Sequence, residues 1–184
     1  MVEYVQVIRE LEISLPRLLA RQMTDERSAD CGGFMDGDGL VGPNSVSSAS
    51  TLAYAYLLRE SSHYQSPELL KRILMVGDFG RRRRRPSGNY DLLSTNFDSS
   101  PDTGFITKSL APAVKLARVA EGDEGAQQIA ESLGELILSG VPGMVNGGFH
   151  TPNHRWVLVA ALSLASELFP NIEVQDTIDA YLAE

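Results

Sequence analysis

The stretch of the chain with the clearest chemical potential is residues 147–156, which contain two of the three histidines and the only tryptophan. Thr151 suits a helix N-cap, and Pro152 suits the first helical position because its missing N–H is no loss there. Asn153 and His154 then fall in the first turn, where free backbone N–H groups and the positive end of the helix dipole face outward. This histidine could accept a proton, while the asparagine and the amides could bind a carboxylate or a developing oxyanion. An ordinary capped helix with a solvated first turn would have the same residues.

Two further groups of charged residues could do chemistry, and each also has a simpler explanation. Asp98 and Asp102 could be the paired carboxylates of a glycoside hydrolase, but an aspartate such as Asp102 also suits the first turn of a helix. Residues 81–85 are all arginine and could steer an acidic polymer towards the protein. Cations also stabilise a helix C-terminus, so we predict that this run is a solvated helix end.

We predict neither a metal site nor a cofactor. Asp36 and Asp38 resemble the start of a calcium-binding loop, but Leu40 stands where a third ligand belongs. Turn chemistry of aspartate and glycine explains this segment. The same glycine-rich loop lacks the Gly-Lys-Ser/Thr sequence that a phosphate-binding loop requires.

Apolar residues at helical spacing predict an all-α protein built from antiparallel helical hairpins. We expect helices over about 2–23, 47–61, 67–85, 101–120, 124–139, 152–169 and 172–182, with no competing strand pattern. The connections alternate: long ones at 24–46, 86–100 and 141–151, short ones at 62–66, 121–123 and 170–171. Because short links join antiparallel neighbours, an up-and-down order places all three long loops at one end of the bundle. We call this the loop end, and expect a functional site there.

The composition indicates one soluble domain spanning residues 1–184. Hydrophobic residues make up 43% and charged residues 22%, as in ordinary globular proteins. The net charge of -8 argues against a nucleic-acid partner, which would require a basic face. Cys31 is the single cysteine, so no internal disulfide can form, and we favour a cytoplasmic location. We expect no signal peptide and no membrane span, since the longest apolar run, 156–165, is too short.

The helix order, the loop pattern and the adjacent Asn153 and His154 together resemble the N-terminal α/α toroid of uronate polysaccharide lyases, the heparinase II/III and alginate lyase group. The resemblance implies a partial α/α toroid with its substrate cleft at the loop end. It implies that Asn153 neutralises the uronate carboxylate and that His154 takes, or helps to take, the C5 proton in a β-elimination. It also predicts an acidic polysaccharide or oligosaccharide as the partner, bound by His150, Arg155, Trp156, Tyr90, Asn96 and Asp98.

Two family features have no counterpart in this sequence. The family's proton-donating tyrosine lies well downstream of the Asn-His pair, whereas Tyr181 is the only tyrosine that follows His154. A C-terminal β-sandwich is also missing, and the predicted helices make about half of such a ring. The chain could therefore be a fragment that forms a homodimer through exposed apolar surface. Alternatively it is a helical domain that binds glycans or a protein without turnover, or a toroid-type glycoside hydrolase using Asp98 or Asp102.

Overall fold

A computed structural model describes residues 3–183 and shows a mostly helical chain with one short pair of strands. The elements in chain order are α1 (Tyr4–Arg21), a 3-10 helix (Pro43–Ser48), α2 (Ala49–Leu57), α3 (Pro67–Arg83), β1 (Tyr90–Leu92), β2 (Asn96–Ser99), α4 (Ser100–Arg118), α5 (Glu124–Asn146), α6 (Pro152–Leu168) and α7 (Gln175–Ala183). The predicted all-α class is confirmed. Val2, where we predicted the first helix to begin, lies outside the described residues. Across residues 3–183, no helix combines the length and apolar character needed to cross a bilayer.

Helices α2 to α6 form two layers around one apolar core. Helices α2, α4 and α6 pack side by side in one layer, and α3 and α5 pack in the other. Within the first layer α4 and α6 run parallel, because Gly104 lies against Val157 near their N-termini and Lys115 pairs with Glu167 near their C-termini. The core contains mainly aliphatic and small side chains from every helix, with a few aromatic rings such as Phe79 and Tyr90.

Helices α3 and α5 run parallel to each other and antiparallel to α4. Gly77 approaches Ser132, and one helical turn or two further on Arg84 pairs with Glu135. Gly140, near the end of α5, lies against Thr103 at the start of α4. Helices α3 to α6 therefore alternate in direction, as an up-and-down order requires.

The prediction that the long loops meet at one end is confirmed by contacts between them. Arg83 at the end of α3 forms an ion pair with Asp30 in the first long loop. Ser100, where the second loop enters α4, donates a hydrogen bond to the carbonyl of Gly148 in the third. The end of α3 thus contacts the first loop and the start of α4 contacts the third, so all three loops belong to the loop end.

The third loop is shorter than predicted because α5 continues to Asn146 instead of ending at Ser139. Pro142 was expected to end the helix, but it is exposed and the helix passes through it. Val141 and Met144 continue the buried face, and this packing outweighs the hydrogen bond that proline cannot donate. The loop is reduced to residues 147–151.

The second loop contains an antiparallel strand pair that the sequence pattern did not reveal. Tyr90 pairs with Ser99 and Leu92 pairs with Asn96, with an irregularity in the register between them. Asp98 has a φ of 52°, a left-handed conformation that is uncommon outside glycine. Strands of three and four residues are too short to show the alternation on which strand prediction depends.

Candidate functional site

The start of α6 carries the residues that the sequence analysis singled out, in the arrangement predicted. Thr151 is the N-cap, with φ -142° and ψ 155°, and Pro152 is the first helical residue. The Thr151 side chain makes no capping hydrogen bond to the first turn, and its hydroxyl donates instead to Asn153 Oδ1 at 2.5 Å. This contact occupies the oxygen of the exposed Asn153 amide, so the amide can offer its N–H groups to a ligand.

This helix start differs from those of α3, α4 and α5, which satisfy their own first turns. Each of these three has an N-cap side chain that accepts a backbone N–H and an acidic residue in the first turn: Ser66 with Glu68, Ser99 with Asp102, and Asp123 with Glu124. Helix α6 has neither a capping side-chain bond nor an acidic first-turn residue. Pro152 has no N–H, and the His154 N–H donates to the Thr151 carbonyl at 3.0 Å. The backbone N–H of Asn153 and the positive dipole end therefore remain available to an anion.

His154 lies half-buried at this open helix end, between α6 and α4. Its ring meets the ring of Phe105 edge to face, with centroids 6.4 Å apart and planes at 87°. Its Nδ1 atom is buried and has no hydrogen-bond partner among residues 3–183. An unpaired buried nitrogen is costly, so this ring is not explained as a satisfied structural histidine.

Two cationic side chains, one on α6 and one on α4, stand beside aromatic rings. The Arg155 guanidinium lies 5.3 Å from the centre of the Trp156 ring, which is 55% exposed. The Lys108 ammonium lies 5.8 Å from the centre of the Phe105 ring, which is 44% exposed. Neither cation forms a salt bridge with any carboxylate in the described chain. The first turns of α6 and the facing part of α4 therefore carry exposed rings and unneutralised positive charge.

The sequence analysis did not single out Phe105 and Lys108, and only packing brings them to the site. They lie three residues apart, on one face of α4, and helical periodicity can show that much. The pairing of that face with His154 depends on α4 and α6 running parallel and in close contact at Gly104. No pattern within either segment indicates that contact.

The other predicted binding residues lie in the third loop and in the hairpin formed by β1 and β2, and not all of them are free to bind a ligand. His150 is exposed in the loop that leads into α6. Asn96 and Asp98 lie in the hairpin before α4, where their side chains hold local structure: Asn96 donates to Asp102 Oδ2 at 3.5 Å, and Ser87 donates to Asp98. Asp102 also accepts a hydrogen bond from Ser99 at 2.5 Å, so both candidate hydrolase carboxylates have structural partners.

Tyr90 lies in the protein core, whereas we had expected its ring to stack on a sugar. Its side chain is 0% exposed, and burial raises the pKa of its hydroxyl. A sugar cannot reach this ring, so we leave Tyr90 out of the proposed site. Tyr181 packs edge to face on Phe149, and its hydroxyl donates to the carbonyl of Met144 at 3.3 Å.

The arginine run lies at the end of α3, as predicted, and Arg81, Arg82 and Arg85 are exposed, but its side chains are not simply solvated. Each of its five side chains binds another part of the protein, and these contacts hold the loop end together. The partners are Asp78 and Glu135 for Arg81, the carbonyl of Cys31 for Arg82, Asp30 for Arg83, Glu135 and Ser139 for Arg84, and Asp91 for Arg85. Four of the five are bound to carboxylates, so their charge is largely neutralised. This arrangement argues against their steering an acidic polymer.

Asp91 anchors the hairpin to the end of α3. Arg85 donates to both of its carboxylate oxygens, at 2.6 to 3.0 Å, and the backbone N–H of Asp98 donates to Oδ1 at 2.7 Å. The hydrogen bonds from Arg85 lower the pKa of Asp91, with a further contribution from the Asp98 amide. The charged form of Asp91 is therefore part of the folded structure.

Within residues 3–183, no group of three or more histidine, cysteine, aspartate or glutamate side chains is placed to hold a metal ion. Comparisons of the chain with protein-family models, with curated proteins and with solved structures find no match. The candidate site is therefore the open end of α6 together with the residues that surround it.

Proposed function

We propose that this chain is a polysaccharide lyase-like protein whose site for uronic-acid glycans lies at the N-terminus of α6. The observation that supports this most directly is the open helix end itself, with Asn153 and His154 in its first turn and no acidic residue to neutralise it. Such an end can bind a carboxylate, and His154 stands beside it as a proton acceptor. Exposed Trp156 offers a flat apolar surface on which a sugar ring can stack.

The two-layer arrangement of alternating helices suits the partial α/α toroid that the resemblance implies. In the proposed ring, α2, α4 and α6 form the layer whose N-termini converge on the substrate cleft. Helices α4 and α6 already bring their N-termini together at Ser100 and Gly148. The proposal thus places the cleft where the structure has its open helix end.

In the proposed β-elimination, the side-chain amide and backbone N–H of Asn153 bind the uronate carboxylate at the positive end of the α6 dipole. These hydrogen-bond donors stabilise the negative charge that develops on the carboxylate as the adjacent C5–H bond breaks. His154 accepts the C5 proton, and the electrons of that bond form a C4–C5 double bond while the C4–O bond to the leaving sugar breaks. The leaving oxygen takes up one proton, from water or another acid. The products are a shortened chain and an unsaturated uronate.

A second candidate, glycan binding without turnover, is favoured by the placement of the tyrosines. Tyr90 is buried, and the Tyr181 hydroxyl donates to a backbone carbonyl. Neither hydroxyl is presented beside His154 as the proton donor of the lyase family would be. The same surface would then bind an acidic sugar and leave it intact.

One titration separates these candidates, because Trp156 is the only tryptophan and lies two residues from His154. The protein is titrated with alginate, heparin, chondroitin, pectate and a neutral glucan, while the absorbance of unsaturated uronate is recorded in the same samples. A saturable fluorescence change with one uronate polymer, together with rising absorbance, supports a lyase. Fluorescence change alone supports a binding module.

The matched variants are His154→Ala and His63→Ala, since His63 is also half-buried but lies in the turn before α3. We expect His154→Ala to lose at least 100-fold in turnover, the scale of a general base, while helical circular dichroism is unchanged and His63→Ala retains activity. Unchanged turnover in His154→Ala would rule out its assignment as the base. No response to any uronate polymer would rule out both candidates.

A further inference from the structure

Lys108 lies next to the proposed site without belonging to the predicted set of binding residues. Its ammonium group is 5.8 Å from the centre of the Phe105 ring, and that same ring contacts His154 with centroids 6.4 Å apart. Phe105 therefore contacts both the lysine and the proposed base. The cation–π contact holds the flexible lysine beside this exposed ring.

The charge of Lys108 is uncompensated, in contrast to that of the next lysine on the same helix. Lys115 forms an ion pair with Glu167 of α6, whereas Lys108 has no carboxylate partner in the described chain. Arg155 lies on the α6 side of His154 and also lacks a carboxylate partner. The protein carries a net charge of -8, yet the groups around His154 are positive. A long acidic polymer would meet local attraction here.

We infer that Lys108 is a specificity-determining residue, which binds an anionic group on the sugar next to the one held by Asn153 and His154. This inference rests on the proposed function and narrows its substrate class. The site selects glycans that carry negative charge on consecutive sugars over glycans in which charged and neutral sugars alternate. A single bound carboxylate at Asn153 leaves Lys108 unsatisfied, whereas a second anion one sugar further along satisfies it.

The test uses whichever uronate polymer of the panel gives the largest Trp156 response. It is supplied fully ionised and, in a second preparation, with half of its carboxylates methyl-esterified. Lys108→Met removes the charge and keeps most of the side-chain length, and Lys115→Met is the matched control on the same helix. We expect Lys108→Met to weaken binding of the ionised polymer about tenfold, as loss of one charged hydrogen bond does, and Lys115→Met to weaken it less than about twofold. On the esterified polymer the Lys108→Met loss should shrink to about threefold or less, since fewer second anions remain.

The outcomes separate this inference from the proposed function. If the wild-type protein binds the polymer but Lys108→Met and Lys115→Met weaken it equally, Lys108 acts only through overall charge and the inference is wrong. Equal losses of Lys108→Met on the ionised and esterified polymers overturn it as well. If the wild-type protein binds no uronate polymer, the proposed function fails, and the inference fails with it.

Discussion

The N-termini of α4 and α6 lie side by side and point the same way, yet their first turns are built differently. At α4, Ser99 accepts the N–H of Asp102 and donates to its carboxylate, and Asn96 also donates to Asp102. At α6, Thr151 makes no capping bond, and the first turn contains Asn153 and no acidic residue. The first helix end is closed by its own residues, and the second is open.

The two helices begin with similar sequences, but the start of α4 stabilises the fold and the start of α6 is the proposed binding site. Ser100-Pro101-Asp102 and Thr151-Pro152-Asn153 follow the same pattern of hydroxyl, proline and short polar side chain. At α4 this pattern is shifted by one residue, so that Ser99 caps the helix and the aspartate neutralises the dipole. The closed end stabilises the loop end, and the open end retains the unsatisfied groups that a ligand requires.

The largest loss of stability should come from removing the ion pair that holds the two strands before α4 to the end of α3. Replacing Asp91 with asparagine removes the carboxylate that accepts from Arg85 and from the Asp98 amide. We expect the free energy of unfolding at pH 7 to fall by about 2 kcal/mol, the value of a hydrogen-bonded buried charge. Denaturant unfolding followed by circular dichroism measures this loss.

The same variant tests how the free energy of unfolding depends on pH. Hydrogen bonds from Arg85 lower the pKa of Asp91 in the folded protein, so the carboxylate stabilises the fold fully above the ordinary value of about 3.9. That contribution is lost as the pH falls from this value through the folded pKa. The difference between wild type and Asp91→Asn should therefore be constant from pH 5 to 7 and shrink below about pH 4. A difference that stays the same down to pH 3 would contradict the role of the charged pair.

A smaller effect should distinguish the two caps directly. Ser99→Ala removes a capping bond in a buried position and should lower the free energy of unfolding by about 1 kcal/mol. Thr151→Ala removes an exposed contact to Asn153 that caps no backbone group, and should change the free energy by less than about 0.5 kcal/mol. Equal losses in the two alanine variants would mean that the α6 end is capped after all.

The sequence predicted the positions of both helix starts but not which of them was open. The pattern of serine or threonine before proline located α4 and α6 to within a residue. The alternation of long and short connections also predicted that the long loops meet, because that meeting depends only on loop lengths and on the alternating direction of the helices. The sequence could not show that Arg84 and Arg85 are bound to carboxylates or that Tyr90 is buried, since these features depend on packing between distant segments. For the same reason Phe105 and Lys108 were missed.

The sharpest test of the comparison is a reciprocal exchange of the two first-turn residues, which should change the stability only slightly. Asp102→Asn should destabilise the protein, and Asn153→Asp should stabilise it, each by about 0.5 kcal/mol, because a carboxylate interacts favourably with the positive end of a helix. Asn153→Asp should at the same time abolish the Trp156 response to uronate polymers, since its carboxylate occupies the open end and repels the ligand. A variant that is more stable yet no longer binds would mean that the ligand site exists because α6 leaves its own first turn unsatisfied. If Asn153→Asp is more stable and still binds, the open helix end is not where the carboxylate is held.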